Sequence, residues 1–130
     1  MLWLPAALAL LASPALGPLD ARGCGRVMLE GEAATPAELC VREVRTVTLE
    51  GEPMVVARVA LPRDPRRAGV FVYRREGGRL VPRFLGSGFQ SLEVDALLPS
   101  HEELRLAAHG ADGPLTLRCT FRGFPLECTR

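Results

Sequence analysis

Four cysteines that all follow an apolar leader place the strongest constraint on how this chain can fold. Residues 2–16 form an apolar run, and Cys24, Cys40, Cys119 and Cys128 come after it. An exported chain enters an oxidising compartment in which thiols pair, and small exported domains commonly depend on such bridges. The sequence therefore predicts a disulfide-stapled domain that is secreted or periplasmic.

The leader has the length and composition of a signal peptide. We expect residues 1–21 to be cleaved and residues 22–130 to form a single exported domain. The apolar run is shorter than the roughly 20 residues that a membrane span needs, and Pro5 and Pro14 interrupt it. No second hydrophobic stretch follows, so we expect no membrane span after cleavage.

Small residues allow the leader to be cut at three places, after Ala15, after Gly17 or after Ala21. Pro18 would follow a cut at Gly17, which counts against that bond. No basic residue precedes the apolar run, although signal peptides usually carry one there. An uncleaved anchor and a lipoprotein acylated at Cys24 therefore remain as alternatives.

Beyond the leader, short apolar-alternating runs are separated by Gly, Pro and Asp. This pattern predicts an all-β fold, either a small antiparallel sandwich or a partly closed barrel. At most one short helix is expected, over residues 33–41, where Thr35 precedes a proline, or within residues 97–106. The expected strands cover roughly residues 26–30, 41–49, 54–61, 70–75, 79–85, 89–97, 103–108 and 115–121.

The clearest predicted hairpin turns at Gly77 and Gly78, which can supply the positive φ angles of a two-residue type I′ turn. Pro82 cannot donate a ladder hydrogen bond, so it suits an edge strand or a bulge. We expect Phe84 to lie in the core and Arg83 on the opposite face. The facing pairs would be Arg75 and Leu80, Tyr73 and Pro82, and Phe71 and Phe84.

A second predicted hairpin concerns the cysteines. A turn at Gly123 and Phe124 would place Cys119 opposite Cys128, close enough for a disulfide. This register favours a Cys119–Cys128 bridge and leaves Cys24 to pair with Cys40. The nested pairing, Cys40 with Cys119 and Cys24 with Cys128, stays open because four cysteines allow three connectivities.

Charge is unevenly distributed, although 16 basic residues nearly balance 15 acidic ones. Residues 27–52 contain six glutamates and residues 63–83 contain seven arginines. The arginines predict an anion-binding face for an acidic protein, a polyanion or an anionic surface. The near balance argues against specific nucleic-acid binding, and the two segments could instead pair with each other. The predicted face comprises Arg63, Arg66, Arg67, Arg74, Arg79 and Arg83.

The residue patterns that carry catalysis are weak. The cysteines lack the C-x-x-C spacing and no H-E-x-x-H motif occurs, so we expect neither a metal nor a cofactor. Ser87 lies in G-S-G, which is not the G-x-S-x-G of an exposed nucleophile. The sequence thus predicts a non-catalytic binding or structural module with no catalytic residues. The alternative is a small secreted enzyme or enzyme inhibitor that uses Ser87, His101 or His109.

Overall fold

Alternation of apolar and polar side chains produces β-strands, and no helix, over the residues that the structure describes. The computed structural model describes residues 13–49, 51–61, 64–85, 92–100, 103–121 and 126–130. The strands form three antiparallel sheets that do not close into a barrel, so the predicted sandwich is confirmed. This part of the chain also contains no helix long and apolar enough to cross a membrane.

The three sheets follow one another along the chain. The outer sheet has the order β1 (Ala15–Leu16), β2 (Val27–Leu29) and β3 (Glu32–Ala33). The central sheet has the order β4 (Cys40–Leu49), β5 (Glu52–Leu61), β6 (Asp64–Glu76) and β7 (Arg79–Leu85). The third sheet has the order β11 (Leu126–Thr129), β10 (Gly113–Phe121), β9 (Leu104–Gly110) and β8 (Glu93–Pro99).

The central sheet is buried on both faces. Successive side chains of a strand point to opposite faces, so Val56 packs towards the third sheet while Val55 and Val59 pack towards the outer sheet. Each face has a separate apolar core, and this explains why β5 reads as an almost continuous apolar run. The core beneath the third sheet includes Val72, Val94, Leu97, Leu104, Leu106 and Leu117, and the core beneath the outer sheet includes Val27, Val41, Ala57 and Tyr73.

The structure contains two disulfides, and each joins cysteines that are close in sequence, Cys24 with Cys40 and Cys119 with Cys128. Cys24 is bonded to Cys40 with a Cα–Cα distance of 4.7 Å, which ties the connection between β1 and β2 of the outer sheet to the first strand of the central sheet. Cys119 is bonded to Cys128 at 4.0 Å, directly opposite in the β10–β11 ladder. The nested pairing is therefore wrong. The bond to Cys40 also leaves no thiol at Cys24 for a lipid.

The predicted turn at Gly77 and Gly78 is confirmed, with φ angles of 57° and 77°. Arg75 lies opposite Leu80, and Tyr73 lies opposite Pro82, as the sequence predicts. The next predicted pair is wrong because a bulge follows Pro82 on this edge strand. The extra residue, Arg83, shifts the register so that Phe84 lies opposite Val72 and Phe71 lies opposite Leu85.

Neither segment considered for a short helix is helical over its described residues. Thr35 is buried, and its hydroxyl accepts a hydrogen bond from the Val27 amide at 3.0 Å. Its carbonyl oxygen accepts from the Arg26 guanidinium at 2.6 and 2.8 Å, so this threonine fastens a turn to β2 and does not cap a helix. Within the second segment, Leu104 and Leu106 lie on β9 with an exposed residue between them.

A charged cluster centred on Glu43 joins the central sheet to the third sheet. A bulge between Val41 and Glu43 places this carboxylate, 18% exposed, at the interface. One oxygen accepts from the Arg58 Nε at 3.1 Å and from the Leu97 amide at 2.9 Å. The other accepts from the Arg45 Nε at 3.2 Å. Glu43 therefore accepts hydrogen bonds from groups on both sheets, and this polar contact joins the two sheets alongside the apolar core between them.

Candidate functional site

Of the three residues proposed for the catalytic alternative, the structure describes only one, so it shows no catalytic group formed by them. Ser87 and His101 lie outside the described residues, and His109 lies on β9 near the exposed end of the third sheet. Within the described part of the chain, no group of three or more His, Cys, Asp or Glu side chains is placed to hold a metal ion.

His109 is held between two carboxylates. Its Nδ1 lies 2.7 Å from Asp95 Oδ2, and its Nε2 lies 3.2 Å from Glu93 Oε2. Both nitrogens donate only when the imidazole is protonated, since a neutral ring presents a lone pair at one of them. The hydrogen bond with Asp95, supported by the charges of Asp95 and then Glu93, raises the pKa of His109 above its ordinary value of 6.5.

The contacts of His109 with the two carboxylates predict that its pKa depends on Asp95. Because the folded-state pKa is raised, the favourable interaction is complete below the unfolded-state pKa near 6.5 and is lost as the pH rises through the folded-state value. We expect Asp95→Asn to lower the His109 pKa, measured from its imidazole NMR resonances. Asp112→Asn, at an exposed turn residue, should leave it unchanged. A wild-type pKa at or below 6.5 would contradict the arrangement.

The structure describes the side chains of only two of the six arginines in the predicted anion-binding face. Arg63 lies outside the described residues, and only the backbone positions of Arg66, Arg67 and Arg83 are described. The other two, Arg74 and Arg79, are exposed on the β6–β7 hairpin.

Part of the basic segment is neutralised by the acidic one. Arg74 Nη2 lies 3.0 Å from Glu52 Oε1, and Arg75 Nη2 lies 3.1 Å from Glu30 Oε1. The sequence leaves this mutual pairing open as an alternative to an anion-binding face. The second contact also joins the β6–β7 hairpin to the β2–β3 hairpin, so the turns of the two hairpins are neighbours.

Between these hairpins lies an open groove of about 270 Å³. One wall comes from β2 and β3, whose turn residues Glu30 and Gly31 have positive φ angles of 55° and 82°. The other wall comes from the turn and first residues of β7. The groove combines aliphatic side chains, two charged side chains and turn backbone. It is lined by Leu29, Glu32, Ala33, Ala34, Gly78, Arg79 and Leu80.

Both walls present unpaired strand backbone. Ala34 donates its amide hydrogen to the Val27 carbonyl at 2.7 Å. Bonded and non-bonded pairs alternate in an antiparallel ladder, so the adjacent Ala33 directs its N–H and C=O away from β2. The same alternation, counted from the Glu76–Arg79 pair that closes the other turn, directs those of Leu80 away from β6. Both β3 and β7 are edge strands of their sheets.

The two charged residues of the groove differ from their neighbours. Among the described residues, the side chains of Glu32 and Arg79 make no hydrogen bond or ion pair, and both are exposed. The sequence identifies Arg79 within the basic segment but gives no reason to select Glu32. Only the fold, which brings the two hairpin turns together, places these opposite charges in one groove.

Comparison with known proteins does not assign the chain to a family. No protein-family model matches it, and neither a curated protein sequence nor a solved structure does.

Proposed function

We propose that this protein is a non-catalytic, extracytoplasmic binding module, and that the groove between the β2–β3 and β6–β7 hairpins holds an extended segment of a partner protein. The observation that carries the proposal is the presence of two opposite charges, Glu32 and Arg79, which have no partner among the described residues and lie beside an aliphatic floor. Nearby charges such as Arg74 and Arg75 are already neutralised within the fold.

A peptide fits this groove better than a polyanion does. Arg79 suits a carboxylate of the partner, but a polyanion would bring further negative charge close to Glu32 and would gain nothing from Leu29 and Leu80. An extended peptide can place an acidic side chain on Arg79, apolar side chains on the floor, and its own backbone against Ala33 or Leu80. Such strand addition to an exposed edge is a recurring mode of peptide recognition.

Two further observations support a non-catalytic role outside the cytosol. Both ring nitrogens of His109 face carboxylates, which leaves neither of them to take a proton from a nucleophile. The disulfides Cys24–Cys40 and Cys119–Cys128 are typical of oxidising compartments.

Selection from a random peptide library tests the proposal without requiring that the partner be identified first. Displayed hexapeptides are selected on the oxidised protein, and the enriched ones are measured against variants by fluorescence anisotropy. We expect enriched peptides to combine an acidic residue with apolar neighbours. Because a charge-assisted hydrogen bond contributes about 1.5–3 kcal/mol, Arg79→Glu should weaken binding by about tenfold or more.

Arg42→Glu provides a matched control for this experiment. Arg42 is also exposed and, within the described structure, without an ion pair, but it lies at the β4 bulge and not in the groove. The same change of net charge there should leave peptide affinity within about twofold. Equal losses in both variants, or binding of a heparin oligosaccharide but of no peptide, would show that general charge attraction and not the groove is responsible.

A further inference from the structure

The first strand of the fold lies within the segment that the sequence assigns to the leader. Strand β1 pairs with β2, with Ala15 opposite Met28 and Leu16 opposite Val27. The sequence predicts a leader that ends at Ala21. A cut there or after Gly17 would remove both residues of β1 from the outer sheet, whereas a cut after Ala15 would remove only the Ala15–Met28 pair. The structure therefore distinguishes among the three bonds at which small residues permit cleavage.

Of the apolar side chains that follow Ala15, Leu16 is partly buried, whereas Leu19 is 55% exposed. Leu16 contacts the core beneath the outer sheet. A methyl group added at Gly25 would lie 2.8 Å from Leu16 Cδ1 and 3.1 Å from Leu19 Cδ2. The first distance is shorter than real Cβ contacts and the second is tight, so Leu16 and the end of the Leu19 side chain lie close against Gly25.

The backbone after Leu16 is also tied to the domain. Gly17 donates its amide hydrogen to the Arg26 carbonyl at 2.9 Å. The Asp20 carboxylate accepts from the amides of Arg22 at 2.8 Å and Cys24 at 3.0 Å, which closes the turn leading to the first disulfide. Removing these residues would leave the Arg26 carbonyl and the turn amides without these partners.

We infer that the exported chain is cut between Ala15 and Leu16, so that its mature form begins at Leu16; this rests on the export component of the proposed function. Ser13 and Ala15 are the small residues that a signal peptidase requires before the bond. Hydrolysis of that peptide bond consumes one water, leaving a carboxylate on Ala15 and an amino group on Leu16.

The new terminus is compatible with the sheet. Because Gly17 donates to Arg26, the alternation of an antiparallel ladder directs the Leu16 nitrogen away from β2. The cut gives up the pairing of Ala15 with Met28, but a charged amino group at Leu16 replaces no ladder donor of its own residue. A cut after Gly17 would remove Leu16 from the core, and a cut after Ala21 would remove Leu19 and Asp20 as well.

The test is the intact mass of the chain after expression of the full sequence in a host that exports it. We expect the mass of residues 16–130 with two disulfides. Ala15→Leu should abolish or relocate cleavage, whereas Ala21→Leu should leave the mature terminus at Leu16. As an independent measurement, purified and oxidised chains that begin at Leu16 and at Arg22 are compared by thermal unfolding, and the shorter one should have the lower midpoint.

A mature chain that begins at Pro18 or Arg22, or cleavage blocked by Ala21→Leu and not by Ala15→Leu, would overturn this assignment while leaving export intact. Equal midpoints for the two purified chains would also overturn it. A full-length chain retained in the cytosol would instead refute the export component on which the inference rests. Peptide binding by the groove is measured on purified protein, so its failure is a separate result.

Discussion

Replacement of Glu43 by Ala should lower the free energy of unfolding by about 2–3 kcal/mol, measured by urea denaturation. The substitution removes the acceptor of the Leu97 amide and both guanidinium partners at the interface of two sheets. Breaking one side of a buried charged pair costs about 3–5 kcal/mol, and the 18% exposure of Glu43 reduces that figure. Glu43→Gln, which keeps a carbonyl acceptor for Leu97, should lose less.

Glu103→Ala is the matched control for this experiment. Glu103 also contacts two arginines, Arg105 and Arg118, and is 20% exposed, but both partners lie within the third sheet. The hydrogen bond from Arg118, then that from Arg105, lowers the pKa of Glu103. If the control is as destabilising as Glu43→Ala, contact between sheets is not the source of the effect.

Removal of the Cys24–Cys40 disulfide should have an effect of similar size. A bridge that closes a loop of about 15 residues stabilises a fold by about 3 kcal/mol, and these cysteines are 16 positions apart in the sequence. We expect Cys24→Ala with Cys40→Ala to lose about that amount in urea denaturation. The outer sheet should also open locally more often, because the bridge to Cys40 attaches it covalently to the central sheet.

Hydrogen exchange of the Val27 amide, which donates to Thr35, reports the state of the outer sheet. This amide should exchange faster in the variant without the first bridge. Cys119→Ala with Cys128→Ala removes a bridge within the third sheet. In that variant the global free energy of unfolding should fall, but the Val27 amide should still exchange only as fast as global unfolding allows. A loss below about 1 kcal/mol for the first variant would contradict the assigned role of the bridge.

Local patterns predict most of the fold. The alternating runs indicate the long strands, and the Gly77–Gly78 turn and the Cys119–Cys128 register are as the sequence predicts. The sequence does not predict where β7 takes in the extra residue that displaces Phe84. The position of a bulge depends on packing on both faces of the central sheet. The two-residue strands β1 and β3 are too short to give a periodic signal.

The sites depend on long-range contacts and are less predictable. Arg79 belongs to an evident basic segment, but its proximity to Glu32 requires two hairpins, distant in sequence, to meet. Glu43 likewise gives no signal, because a charged residue among other charged residues on a strand is usually solvated. Its contact with Leu97 joins residues 54 positions apart.

Peptide binding in the groove between the β2–β3 and β6–β7 hairpins can be observed at the backbone itself. The decisive measurement is amide hydrogen exchange, resolved by NMR on the oxidised protein with and without a library-selected peptide. We predict that the amides of Ala33 or Leu80, which face away from their own ladders, become protected in the complex, and that Arg79→Glu removes this protection. Protection confined to residues outside the groove, with Ala33 and Leu80 unchanged, would contradict the proposal.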